Sequence, residues 1–366
     1  MNILMVSNEF PPGVGGVQTH VFELSRALVQ LGHRVRVLCR HRDKTVPARE
    51  TVDGIDVERL SLPDNHLLYD WLLGRRMRQL CCKQGFDLIH VHGMRPLKAS
   101  ARQAVPTLFT NHTSSFVRRA DGSAKTRRKM CAQLQHVSTV LTPSDILAQK
   151  TRQIGYTGPI AFIPNGVDNQ LFSLGTSSLR GRLQIPDDAL VIAIACRLEP
   201  VKGVRYLAQA VADIDEPRLH LVIAGEGSER AAIEQILLRK IDSGNAHMLG
   251  NVDNREMPEV YRAANLSALP SLMEATSIAG LEAMACGLPL IGSEVGGIPY
   301  IIEQESTGLL VPPESVVDLR EAIERLLAHP QQCHAMGARA REKVAREFTW
   351  RHVAEKVQQH YEKYGQ

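Results

Sequence analysis

The sequence predicts an α/β chain made of two doubly wound parallel sheets. Three observations carry the prediction. The 366 residues suit two domains at about 150 residues each. Short apolar runs alternate with amphipathic stretches, as in sheets covered on both faces. That pattern stops at a polar stretch and then starts again. The composition, 44% hydrophobic and 22% charged, is that of a globular chain and excludes a mainly disordered or fibrous one.

Met1–Ser7 reads as the first buried strand and Val17–Leu31 as the first helix. Val21, Leu24, Leu28 and Leu31 recur at helical spacing, and Gly32 ends the run. Val35–Cys39, Leu88–Val91, Thr107–Thr110 and Val137–Thr142 are further strands. Phe172–Pro186, rich in Ser, Gly and Thr, reads as a linker. Leu190–Cys196, Leu219–Ala224, Ser267–Leu269, Leu288–Ile291 and Leu309–Val311 follow as strands. Ser228–Lys240, Ile278–Cys286 and Val316–Ala328 read as helices between them, and Trp350–Tyr364 as a last amphipathic helix. The expected domains are 1–172 and 189–349, with a linker at 173–188 and a closing helical segment at 350–366. No tandem repeat or low-complexity tract interrupts them.

No apolar run approaches the roughly 18–20 residues that cross a bilayer, and the N-terminus has no secretory leader pattern. Seven scattered cysteines without a CxxC pair suit a reduced, cytoplasmic chain with inert thiols. Residues 1–172 hold 23 Lys+Arg against 13 Asp+Glu, and the remainder holds 20 against 26. The first half therefore either faces something anionic or carries a solvated basic surface.

Ligands of doubly wound sheets bind at the C-terminal ends of the strands, and two such sheets facing each other would share a cleft. Pro11–Gly16 follows the first strand and opens the first helix. It lacks the dinucleotide fingerprint, because Gln18 stands at the third glycine and Arg40-His41-Arg42 follows the second strand. By itself the loop is a tight turn. Arg197 and Lys202 bracket the turn after the strand ending at Cys196, which suits a diphosphate or else a solvated pair. In Ser271–Gly287, Glu274 lies in a loop, Thr276 or Ser277 caps a helix, and Glu282 sits within it among apolar residues. Such a carboxylate is either ligand-bound or a core group held by an internal arginine.

His90 and His92 are expected on opposite sides of their strand, so no shared metal is expected; His112 after the next strand reads as structural. Asp213 and Asp215 read as a surface turn. No Walker loop, HExxH or GxSxG occurs.

Together PPGVGG, CRLEPVKG, EATSIAGLEAMACGLPLIG and GGIPYIIEQESTGLLVPP resemble retaining glycosyltransferases of family 4, over nearly the whole chain. The resemblance implies the GT-B fold: α/β, with two Rossmann-like doubly wound domains facing across a cleft. It also implies sugar transfer from a nucleotide-sugar with retention, without metal or cofactor. By this resemblance Arg197 and Lys202 hold the donor diphosphate. Glu274, with the backbone of Thr276, Ser277 and Ile278, holds the donor sugar, and Glu282 holds the ribose. Gly15 and Gly16 let the first loop approach the donor. His112 stands by the reacting sugar, and Gly225, Gly227 and Asn251 lie at the nucleoside. The catalytic set is then His112, Arg197, Lys202 and Glu274, and the last helix crosses back to the first domain.

Cys196, Thr276-Ser277 and Tyr300 depart from the family pattern. They bear on the donor sugar more than on the reaction. Family frequency favours UDP-sugars, with GDP-mannose the main rival. The expected acceptor is a cell-envelope or lipid-linked glycan, with a soluble small molecule as the alternative. Two basic clusters, Arg75, Arg76 and Arg78 beside Leu72–Leu73, and Arg118–Lys129, suit peripheral attachment to an anionic membrane. No nucleic-acid partner is expected. The competing readings are a nucleotide-sugar 2-epimerase, a catalytically dead nucleotide-sugar binder and a nicotinamide oxidoreductase.

Overall fold

The computed structural model describes residues 1–13, 15–112 and 114–364. Val14 of the glycine loop, Thr113 after His112, and the last two residues of the closing segment lie outside the described residues. The chain divides into two compact units: Met1–Gly166 with Trp350–Gln366, and Val167–Thr349.

The first unit holds eight strands: β1 (Asn2–Ser7), β2 (Arg34–Arg40), β3 (Arg49–Val52), β4 (Ile55–Leu60), β5 (Leu88–His92), β6 (Thr107–Thr110), β7 (Thr139–Thr142) and β8 (Ile160–Phe162). Their order is β3-β4-β2-β1-β5-β6-β7-β8. All neighbours are parallel except β3 and β4. That antiparallel pair is a hairpin turned at Asp53-Gly54, both with positive φ, as a two-residue turn requires. The helix Trp350–Tyr361 belongs to this unit and packs against the helix Gly16–Gln30.

The second unit holds β9 (Leu190–Ala195), β10 (Leu219–Ala224), β11 (Ala246–Gly250), β12 (Leu266–Leu269), β13 (Leu290–Ser293) and β14 (Gly308–Val311). Their order is β11-β10-β9-β12-β13-β14, parallel throughout. Alternate residues of β9 enter different cores. Val191 and Ala193 join one apolar cluster, and Ile192 and Ile194 join the other. Burial on both faces is why these strands read as continuous apolar runs.

Both sheets are Rossmann-like. Each has one switch point, where the chain leaves a central strand first to one side and later to the other. These fall between β1 and β5, and between β9 and β12. Crevices at such points are where ligands bind.

The stretch 173–188 is not a free linker. It carries the helix Leu179–Arg182, and Leu179 and Ile185 are buried in the second unit's core. Arg180 fastens it by donating from Nε to the Ala263 carbonyl at 2.8 Å. The stretch 228–240 is two helices, Arg230–Ile236 and Leu238–Asp242, rather than one.

Candidate active site

In the second unit, β9 delivers Cys196 and Arg197 to the switch point. Arg197 is exposed, and its side chain makes no hydrogen bond or ion pair among the described residues. The turn Pro200–Lys202 follows, closed by Gly203 in the left-handed region at φ 63°. Leu272 N–H donates to the Val201 carbonyl at 2.8 Å and ties this turn to the loop after β12. Across that tie, Lys202 Nζ donates to Glu274 Oε2 at 2.5 Å, with both side chains about four-fifths buried. The two expected ligand groups are thus each other's partners. Burial pushes the Cys196 thiol up to about 12, so it stays protonated and unreactive.

Ser277, not Thr276, caps the helix Ile278–Ala285, its hydroxyl accepting from Gly280 N–H at 3.2 Å. The N–H groups of Ile278 and Ala279 have no acceptor among the described residues, which leaves a small anion- or hydroxyl-binding edge. Glu282 is buried, and the Tyr261 hydroxyl donates to its Oε2 at 3.4 Å. A tyrosine is thus one partner of this carboxylate, whose core alternative named an internal arginine. Burial and the neighbouring carboxylate hold the Tyr261 hydroxyl well above its usual range.

Gly225 and Gly227 serve packing. A Cβ at Gly225 would lie 1.8 Å from the Cys196 carbonyl oxygen, and one at Gly227 would lie 2.3 Å from that of Leu198. Their absence lets the loop after β10 close on the loop after β9, where Leu198 N–H donates to the Glu226 carbonyl at 2.8 Å. Asn251 is exposed after β11.

In the first unit, Gly15 (φ 151°) starts the helix Gly16–Gln30. The Gln18 side chain folds over Gly15, where a Cβ would meet its Oε1 at 2.7 Å; Gly16 is open. His112 is one of four clustered imidazoles. His90 and His92 share a face of β5, with ring centroids 4.2 Å apart. This corrects the expectation of opposite sides, because residues two apart on a strand point the same way. His92 Nδ1 lies 3.0 Å from His112 Nε2, and His20 Nδ1 lies 2.8 Å from Asn165 Oδ1. His90 is held at both nitrogens, by Tyr361 and Thr110, each at 2.6 Å. Burial brings His20 down to about 4 and His90 to about 3, and holds His92 and His112 well below the ordinary histidine value. All four are neutral at pH 7. Asn111 is fully buried with neither amide atom bonded.

Profiles of known families match both units: Glycosyltransferase Family 4 over residues 14–171 and Glycosyl transferases group 1 over 176–343. The chain belongs to glycosyltransferase family 4. The D-inositol 3-phosphate glycosyltransferase of Stackebrandtia nassauensis is 28% identical over 93% of this chain and 85% of its own. The gpi3 subunit of phosphatidylinositol N-acetylglucosaminyltransferase from Schizosaccharomyces pombe is 26% identical over 98% of this chain and 80% of its own. The structure of sucrose-phosphate synthase from Thermosynechococcus elongatus matches at TM-score 0.86 and 25% identity, over 99% and 98% of the two chains. The fold of this glycosyltransferase is GT-B.

Three residues of these two clusters escaped the sequence reading, His20, Asn165 and Tyr261, and His92 was set aside there because it was placed on the side opposite His90. A signal for His20 was present, because it extends the buried row 24, 28 by one helical step. The apolar surface beside the first basic cluster also differs from expectation. Leu73 is buried, and Arg76 is held by Glu58 at 2.6 and 2.8 Å. The exposed apolar residues there are Leu67, Leu68 and Trp71, with the Arg75 guanidinium 5.5 Å from the Trp71 ring centre.

Proposed function

We propose that this glycosyltransferase moves a sugar from a UDP-sugar to a hydroxyl of a phosphate-bearing or lipid-linked glycan acceptor, with retention and without a divalent metal. The observation that carries the reading is Arg197: a cation at the sheet's switch point with no partner of its own. It is positioned for the diphosphate, together with the open N–H groups of Ile278 and Ala279. Donor binding draws Lys202 from Glu274 to a phosphate oxygen and releases Glu274 for the sugar hydroxyls. Glu282 takes the ribose hydroxyls. The backbone at Gly225–Gly227 and Asn251 receive the base. Gly15, Gly16 and His112 serve the sugar from the first unit. The acceptor oxygen bonds to the anomeric carbon as the sugar–phosphate bond breaks, and the departing phosphate takes the hydroxyl proton. No carboxylate pair is then needed, and the two cations do the work of a metal.

The acceptor class is supported by the basic first 172 residues and by the relatives named for D-inositol 3-phosphate and phosphatidylinositol, both phosphate-bearing. Leu67, Leu68 and Trp71, beside Arg75 and Arg78, support docking on an anionic membrane, at about 1 kcal/mol per cation near the surface. No helix among the described residues is long and apolar enough to cross a membrane. The deciding experiment is a thermal-shift panel of UDP- and GDP-sugars, then NMR of the product's anomeric configuration. Stabilisation by GDP-sugars alone, or an inverted product, overturns the reading. Co-sedimentation with anionic liposomes should fall with salt and with Trp71→Ala; protein left in the supernatant at every lipid composition removes the membrane part.

A further inference from the structure

His20, His92 and His112 each present a ring nitrogen within 4.8 Å of the others. They come from three separate elements: the first helix, the end of β5 and the loop after β6. Their spacing is near that of a tetrahedral trihistidine centre, in which metal–nitrogen bonds of 2.0–2.1 Å put the nitrogens about 3.3 Å apart. His92 Nδ1 and His112 Nε2 are already 3.0 Å apart. His20 has its ring centre 4.3 Å from that of His112.

Lone pairs are available. The Asn165 oxygen accepts from His20 Nδ1–H, which leaves His20 Nε2 an acceptor. That nitrogen is buried without a partner. His92 Nε2 faces the Met5 sulfur at 3.4 Å and keeps its proton there, so Nδ1 carries the lone pair. His112 frees Nε2 by shifting its proton to Nδ1, a tautomer change with no net proton release. Asn165 then does what outer-shell carbonyls do for metal-bound histidines: it fixes the ring and the tautomer. His90 is excluded as a ligand because both its nitrogens are engaged.

We propose that His20, His92 and His112 form a binding site for a borderline divalent cation of the Zn²⁺, Co²⁺ or Ni²⁺ type, with the fourth position open to water or an anion. Three imidazoles without a carboxylate select such ions over Mg²⁺ and Ca²⁺, which demand oxygen ligands. A metal there ties up His112, so it inhibits transfer; this consequence rests on the role given to His112 above.

The test is titration of the metal-free protein with Co²⁺, read by the intense visible bands of tetrahedral cobalt. One equivalent per chain is expected, displaced by Zn²⁺ and untouched by Mg²⁺. His20→Phe and His92→Gln should weaken binding by at least about a hundredfold, and Asn165→Ala, which keeps every ligand, by about ten- to a hundredfold. His247→Ala, at the other close histidine pair, should change nothing. Circular dichroism establishes that each variant is folded. Histidine ring ¹⁵N NMR of the unaltered protein with Zn²⁺ gives a readout that needs no variant. Octahedral cobalt only, binding undiminished in the folded variants, or unmoved ring nitrogens overturns the site. If the metal binds as described and transfer continues unchanged, the site stands and the role of His112 falls.

Discussion

Removing Arg197 and removing Lys202 should have different consequences, although both side chains are assigned to one diphosphate. Arg197 has no partner to lose, so Arg197→Ala should leave the melting temperature in place, as surface substitutions do within about 0.5 kcal/mol. Its whole effect falls on the donor. A charge-assisted hydrogen bond is worth about 1.5–3 kcal/mol, so UDP affinity should drop by roughly 10- to 150-fold. Lys202→Ala should lose as much with the donor and also take the only cation from Glu274, a carboxylate with 15% of its side chain exposed that keeps only the Ser271 hydroxyl and Ala275 N–H among the described residues. Leaving a buried carboxylate without its counter-charge costs up to about 1–3 kcal/mol. In a unit of this size that lowers the melting temperature by about 2–4 °C per kcal/mol. The double variant Lys202→Ala/Glu274→Gln should regain part of that loss. Calorimetric titration with UDP and thermal melts of the four proteins decide the matter. Arg197→Ala that binds UDP within twofold of the unaltered protein, or that melts as low as Lys202→Ala, refutes the reasoning.

Urea stability should fall as pH drops below 6.5. The unfolded chain takes protons there that His20 refuses until about pH 4. At about 1.4 kcal/mol per pH unit, His20 alone accounts for about 3 kcal/mol by pH 4, and a flat profile from pH 7 to 5 contradicts this. Glu282→Gln should raise the donor KM more than it lowers kcat, since ribose contacts are alike in ground and transition states. An unchanged KM with a lower melting temperature makes Glu282 a core group. Excess EDTA should leave the rate nearly unchanged, and loss restored by Mg²⁺ or Mn²⁺ ends the metal-free reading.

What the sequence made legible was set by range. The cap at Ser277 and the helix after it lie within a few residues of their causes. The central strands announce themselves because both faces are buried. The pair Lys202–Glu274 spans 72 positions and exists only because β9 and β12 are neighbours. No local pattern encodes that adjacency. The hairpin β3–β4 was missed although Asp53-Gly54 marks it, because β3 sits at the sheet's edge with Arg49 and Glu50 among its four residues. Polar composition at 173–188 hid two buried anchors, Leu179 and Ile185. The break at Leu237 carries neither glycine nor proline, so nothing in the local sequence marked it.

The two units treat charge in opposite ways, and the proposed reaction asks for that. As the sugar–phosphate bond breaks, negative charge gathers on the phosphate and positive charge on the anomeric carbon. The second unit offers an unpartnered guanidinium and free N–H groups for the first. In the first unit burial holds His92 and His112 well below the ordinary histidine value. If an imidazolium stood about 4 Å from the developing cation, it would oppose it by about 4 kcal/mol at an effective dielectric constant near 20, roughly a thousandfold in rate. A histidine of ordinary pKa would impose that loss on part of the population already near pH 6.5. With His112 held well below that value, kcat at saturating donor should stay level from pH 8 to 5.5. The check is initial rates over that range, with folded protein verified at each pH by circular dichroism. A fall in kcat with an apparent pKa near 6.5 while the protein remains folded would show that burial does not keep His112 neutral during turnover.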